Sequence, residues 1–359
     1  MSAKSNGSAA TPVLYTVLLA VAIAAPFFVY PQFLMRGLCL ALFASAFNLL
    51  LGYVGLLSFG HAAFFGFAAY VTGHLAKFGT VFLPYFTPFS TPRLHWLEIP
   101  MPPWTPELAI LGGAFAATLL GLIIGGIAIR RQGIYFAMVT LALAQMLYFF
   151  CVQAPFTHGE DGIQAIPRGY LFGAIDMNNS LSMYYFVLAA FILCFLIIQR
   201  TIHSPFGQTL KAIRENEPRA ISLGYNADRY KLLAFVISAG LAGVAGSLFA
   251  LVFQIATLNN VHWHTSGEVV LMTLLGGMGT VLGPMVGAFL VAGIQQYLAA
   301  FGAWVSIFQG IIFVACVLLF RRGIVGEIQA FRRGGNKAEE EAPAPAVTSH
   351  SAAPSPAGE

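Results

Sequence analysis

The sequence predicts an all-α polytopic membrane protein, and three observations carry that expectation. Of its 359 residues, 58% are hydrophobic and only 9% charged, against roughly 25% charged in a soluble domain. The mean hydropathy is +0.77. The charges are also spaced so that uncharged runs of membrane-spanning length separate them. So few charges could not coat a globule of this size, which excludes nucleic-acid binding, a secreted disulfide scaffold and a disordered signalling chain. Cys39, Cys151, Cys194 and Cys316 are scattered through apolar stretches with no CxxC pair and read as buried, inert thiols.

A helical crossing takes about 20 apolar residues. The first apolar helix covers 13–24. Its Ala22-Ile23-Ala24 resembles a signal-peptide cleavage site, but only Lys4 precedes it and the next helix follows closely, so the segment is read as retained. The 40 uncharged residues between Arg36 and Lys77 hold two crossings, near 33–52 and 54–76. Glu107 to Arg130 encloses 22 uncharged residues, Arg131 to Glu160 encloses 28, and Asp176 to Arg200 encloses 23, each one crossing. Another crossing lies in the 36 residues after Lys231. The 52 residues between Glu268 and Arg321 hold either three short helices, near 267–282, 284–300 and 303–320, or one crossing plus a re-entrant pair. Gly-rich 276–284 supplies the break in either case. The expected total is about ten helices, with eight plus a re-entrant pair as the alternative.

Positive loops stay cytoplasmic. Placing Arg130/Arg131, the segment 200–231, Arg321/Arg322 and both termini inside puts 14 of the 18 Lys and Arg there and leaves Arg36, Lys77, Arg93 and Arg168 outside. The domains expected are a cytoplasmic leader 1–11, a transmembrane domain 12–322 and a cytoplasmic tail 323–359. The tail is acidic, then Ala/Pro/Ser-rich, and is expected to be disordered from about 338. Two long loops, 78–106 and 153–180, face outside.

On this reading the interior of each helix is free of Asp, Glu, Lys and Arg, the residues that relay protons or cations in ion-coupled carriers. His61 and His74 read as hydrogen-bonded packing residues. No GxxxxGK[ST] loop for a nucleoside triphosphate is present in the sequence, so uphill transport would draw on a partner's energy. The chain has 37 glycines, many in runs that let helices pack closely.

Residues 200–231 carry nine charges in 32 positions. Ser204-Pro205 reads as a helix start, with Phe206, Leu210 and Ile213 on one apolar stripe. Asn216 caps a second helix, Glu217-Pro218-Arg219 onward, that ends at Gly224. Such a pair is either an interfacial element lying on anionic lipid or a docking element for a soluble partner; the missing energy source favours docking.

The stretches FNLLLGYVGLLSFGHAAFFGFAAY (47–70), GIYFAMVTLALAQMLYFF (133–150), SPFGQTLKAIRENEPRAISLGYN (204–226) and GGMGTVLGPMVGA (276–288) resemble the M-type membrane subunit of branched-chain amino acid ABC transporter permeases, over most of 33–322. The resemblance implies an ABC importer permease in a bacterial-type inner membrane. Its implied partners are a second homologous permease subunit, two cytoplasmic ATP-binding subunits that hold ATP and Mg, and a periplasmic or lipid-anchored solute-binding protein. This chain would bind no cofactor, metal or nucleic acid and would not itself be an enzyme. Glu217, Pro218, Arg219, Ala220, Leu223 and Gly224 are similar to the cytoplasmic EAA-like loop that docks on the ATPase. The chain departs from the family at Thr157-His158-Gly159-Glu160-Asp161-Gly162, where Thr-Gly-Gly often precedes Asp-Gly. Urea permeases are close relatives and a urea or small-amide importer is the alternative; an autonomous facilitator, an ion-coupled carrier and a membrane scaffold are further rivals. Asn48, Ser58, Gln145, Ser238 and Gln254 are candidates for a translocation path, although each also suits an interhelical hydrogen bond. Glu268 is expected at a helix start, where stabilisation by the helix dipole is preferred to a substrate contact. His262 and His264 form an HxH without further ligands in range.

Overall fold

The computed structural model describes residues 16–78, 80–87, 93–100, 104–173, 175–298, 302, 304–319 and 323–327. The expected leader 1–11 and the tail from 338 lie outside the described residues. The first element, α1 (Thr16–Phe27), is short and apolar. It is followed by α2 (Pro31–Tyr53), α3 (His61–Lys77), α4 (Pro106–Ala128), α5 (Ile134–Gln153), α6 (Ser180–His203), α7 (Pro205–Glu215), α8 (Glu217–Ser222), α9 (Ala227–Phe253), α10 (Trp263–Gly276), α11 (Gly283–Tyr297) and α12 (Trp304–Leu319). Five of these, α2, α4, α5, α6 and α9, are long and apolar enough to cross a bilayer. With α1, α3 and α10–α12 they make ten apolar helices among the described residues. The chain is an all-α polytopic membrane protein.

The bundle is organised around α2, most of which is buried. It packs against α6, α9, α10 and α11, while α3, α4 and α9 form a second tight group. Small residues make that group possible. A Cβ on Gly246 of α9 would stand 1.9 Å from the carbonyl oxygen of Phe65 on α3. On α4, Gly113, Ala117 and Gly121 recur every four residues and meet Ser247, Gly243 and Ala239 of α9, a seam of backbone contact that suits helices in lipid. The outer faces of α4 and α6 carry Leu111, Phe115, Leu119, Leu193 and Leu196, all exposed. Their apolar character on every side fits a lipid surround.

Several expectations need correction. The crossing placed at 54–76 begins only at His61, because Val54–Gly60 turns back inside the bundle with Gly55 at φ +81°. At the start of α3 the hydroxyl of Ser238 donates to Ala46 O at 2.6 Å and lies 2.8 Å from His61 Nε2. The long loop 78–106 contains a hairpin, β1 (Thr80–Thr87) and β2 (Arg93–Pro100), in antiparallel register Thr80↔Pro100 to Thr87↔Arg93. In 153–180, β3 (Ile163–Gln164) pairs with β6 (Ile255–Ala256), and β4 (Tyr170–Leu171) pairs with β5 (Ile175–Asp176).

The final run holds three short helices, but α10 starts earlier than expected and inside the bundle. The segment 254–262 descends from the end of α9 and packs Asn260 and Val261 onto Gly66, within α3. Ser266 then accepts from the Ala62 amide at 2.9 Å. Irregular backbone at this depth is tolerated only where protein surrounds it, and here α3 and α5 do so.

The helix interiors are also not free of charge. Arg36 is the sixth residue of α2 rather than part of an outside loop, Glu268 is the sixth of α10, and Lys231 is the fifth of α9.

Candidate functional site

The segment 204–231 is built from local signals. The Ser204 hydroxyl accepts from the Gly207 amide at 3.3 Å, Asn216 Oδ1 from Arg219 at 3.0 Å and Asn226 Oδ1 from Arg229 at 3.2 Å. Each cap satisfies an amide the first turn leaves free. At the end of α8, Tyr225 N donates to Ala220 O at 3.2 Å and Gly224 N to Ile221 O at 2.9 Å. This pair of hydrogen bonds requires a left-handed residue, and Gly224 supplies it at φ +90°. The helix proper is 217–222, two residues shorter than expected.

The expected coupling residues divide between two faces. Glu217 turns inward, and its Oε1 accepts from Lys231 Nζ at 2.5 Å; the Lys231 side chain is only 5% exposed. Gln132 Nε2 donates to the same oxygen at 3.3 Å. Ala220 is buried against Ile213 and Ala227. Pro218, Arg219, Leu223 and Gly224 face out. Beside Leu223, 70% exposed, the outer face is completed by Ile221, 55% exposed, and by Tyr225, which sequence reasoning did not single out. A surface hollow of about 350 Å³ runs along Ile221, Gly224, Tyr225, Asn226, Ala227 and Asp228. The α7 helix is tied to the bundle separately, through Arg214, whose Nη1 donates to the carbonyl of Gly52 at the end of α2.

The five expected path residues do not share one surface. Asn48 clamps the α10–α11 turn: its Nδ2 donates to Thr280 O at 2.9 Å and its Oδ1 accepts from Gly279 N at 3.0 Å. The Ser58 hydroxyl accepts from Gly60 N at 3.2 Å within its own turn, and Ser238 bridges α2 and α3 as described. All three are buried. Gln254 caps α9 with φ +57°, and its carbonyl accepts from Ile166 N at 3.0 Å. Gln145, half-buried on α5, keeps a buried Nε2 with no hydrogen bond. His262 caps α10, its Nδ1 accepting from His264 N at 3.3 Å. Glu268 lies one turn into the helix, where Gln295 of α11 links it to Arg36 of α2.

A bundle of ten apolar helices with one short, capped, apolar-tipped helix at its edge is an architecture that comparison can place. The profile of the family described as "Branched-chain amino acid transport system / permease component" matches residues 29–317. The high-affinity branched-chain amino acid transport system permease protein LivM of Salmonella typhimurium is 27% identical over 302 residues, covering 77% of this chain and 65% of that protein. The permease protein BraD of Pseudomonas aeruginosa, of the same kind of system, is 25% identical over 311 residues, covering 83% of this chain and 96% of its own. The autoinducer 2 import system permease protein LsrC of Klebsiella pneumoniae is 27% identical over 218 residues, 58% of this chain and 60% of that one. The chain thus spans just under two thirds of the LivM relative. No solved structure matches. The matched span runs from the residues just before α2 almost to the end of α12 and takes in the capped segment between α6 and α9, so the chain belongs to the branched-chain amino acid transport permease family.

Proposed function

We propose that the chain is a transmembrane permease subunit of an ATP-binding-cassette importer for branched-chain amino acids, working beside a second permease subunit. Two cytoplasmic subunits hold and hydrolyse ATP with Mg, and a periplasmic or lipid-anchored binding protein delivers the solute. The α7–α8 face and both termini are cytoplasmic; Arg130, Arg131, Arg200, Lys211, Arg214, Arg219 and Arg229 are on or beside that face, as positive loops require. The working domain is 12–322, with 200–231 as its coupling segment, between a leader 1–11 and a tail 323–359.

The observation that carries this reading is the construction of α8: an apolar outer tip held by an inner brace. Ile221 and Leu223 fit a groove on a soluble partner better than they fit water. Behind them, Glu217–Lys231 fastens α8 to α9 and Arg214 fastens α7 to α2. Closure of the ATPase pair would pull on both fastenings and shift two central spanning helices, alternating the access of the passage. Glu217, Pro218, Arg219, Ala220, Leu223 and Gly224 therefore form the coupling element, joined by Ile221. Gln145, whose buried Nε2 makes no hydrogen bond, remains the candidate for the passage, whereas Asn48, Ser58, Ser238 and Gln254 hold the fold around it.

The test is co-purification. Leu223→Asp in the full chain, expressed with its partner permease and ATPase subunits, is expected to remain monodisperse in detergent while losing the co-purifying ATPase. Wild-type recovery of the ATPase by this variant would overturn the reading.

A further inference from the structure

Three helices bring a polar chain together within the membrane slab. Arg36 Nη2 of α2 donates to Gln295 Oε1 of α11 at 2.7 Å, and Gln295 Nε2 donates to Glu268 Oε1 of α10 at 2.8 Å. His264 Nδ1, one turn earlier on α10, lies 3.9 Å from the same carboxylate oxygen. At 1.5 Å per residue, Glu268 sits about 12 Å along α10 from its turn at Gly276, and Arg36 about 7.5 Å from the opposite end of α2. Neither is at a rim.

The chain is also not sealed. The Glu268 side chain is 21% exposed and His264 is exposed beside it. At Gly267 a Cβ would meet nothing within 4 Å. A guanidinium and a carboxylate opening onto acyl chains would be costly, and intramembrane charges accordingly face water-filled cavities or other protein. A partly exposed carboxylate on this face of α2, α10 and α11 suits a polar passage rather than acyl chains.

The order of groups specifies what the passage takes. Gln295 stands between a cation and an anion, its oxygen accepting from the first and its nitrogen donating to the second. An α-amino acid offers the same pair of functions as full charges. Arg36 moreover has a buried Nε that makes no hydrogen bond. Together with Nη2 it forms a side-on pair of parallel donors, a geometry that matches the two oxygens of a carboxylate.

We propose that Arg36 and Glu268 form a binding station for zwitterionic amino acids inside the passage, Arg36 receiving the α-carboxylate and Glu268 the α-ammonium, with Gln295 bridging them when no amino acid is bound. This rests on the importer reading above and adds to it the residues that hold the two charges of the solute. Apolar solutes and urea lack the two opposed charges and would not displace the Gln295 bridge.

The experiment uses the complete importer in proteoliposomes, with its binding protein and radiolabelled leucine. Glu268→Gln keeps the side chain's shape and its hydrogen bond to Gln295 but removes the charge. Leucine uptake is expected to fall at least ten-fold while ATP hydrolysis stimulated by the binding protein stays within two-fold of wild type, and Glu268→Asp is expected to restore uptake at least partly. Uptake by Glu268→Gln within two-fold of wild type would overturn the proposal. So would a parallel loss of uptake, ATP hydrolysis and thermal stability, which would mark the carboxylate as a brace. Failure of the wild-type complex to import any amino acid would instead bring down the importer reading, and this inference with it.

Discussion

Residues 204–231 and residues 254–298 both interrupt the succession of long spanning helices, the first at the surface and the second inside the bundle. In the first, every helix start is closed by a residue within the segment: Ser204, Asn216 and Asn226 each accept from an amide a few positions on. In the second, the backbone is held from far along the chain. Ala62 donates to Ser266, and Asn48 clamps the turn at Gly279 and Thr280. Local caps close the helix starts in both regions, His262 for α10 and Thr280 for α11 among them, but in the buried region contacts from α2 and α3 also fix where the half-length helices lie.

That contrast can be broken or sharpened by substitution. The largest effect is expected where two backbones touch. A Cβ at Gly287 would lie 1.8 Å from the carbonyl oxygen of Met272. Gly287→Val would separate α11 from α10, and no monodisperse protein should be recovered in detergent. A normal elution profile would mean that the hairpin can yield. A smaller loss is expected at the surface segment. Lys231→Met leaves Glu217 partly buried with only Gln132 to meet it. Removing one partner of a buried pair costs about 3–5 kcal/mol, which should appear as a lower unfolding temperature with the bundle otherwise intact. An unchanged temperature would show that α8 is not fastened through this pair. The smallest effect belongs to Gly293, where a Cβ meets nothing within 4 Å. Gly293→Ala should leave both elution and unfolding temperature as in wild type, and a marked loss there would point to a neighbour that the isolated chain lacks.

The same contrast explains what the sequence revealed. Long uncharged runs announced the ten apolar helices, and Ser204-Pro205, Asn216 and Gly224 announced α7 and α8 to within two residues, because these signals act over a few positions. The late start of α3 at His61 was not legible: the residue that His61 meets there is Ser238, 177 positions away. The inner start of α10 was hidden for the same reason. In 204–231, Tyr225 was passed over because only its exposure sets it apart from the other residues of that segment. The case of Arg36 and Glu268 differs. Their isolation was in plain view, with 31 and 40 uncharged residues around Arg36 and 36 and 52 around Glu268. Arg36 served only to divide one run from the next, and Glu268 was read as a helix-start carboxylate, although their solitude was itself the sign that they lie within the bundle.

The central claim is that this polypeptide shapes a passage whose power comes from other subunits. It is tested most directly by measuring radiolabelled leucine inside proteoliposomes that contain either the purified chain alone or the complete importer with ATP. Accumulation above the external concentration with the complete importer, and none with the chain alone, is the predicted result. Accumulation against the gradient by the chain alone would contradict the account.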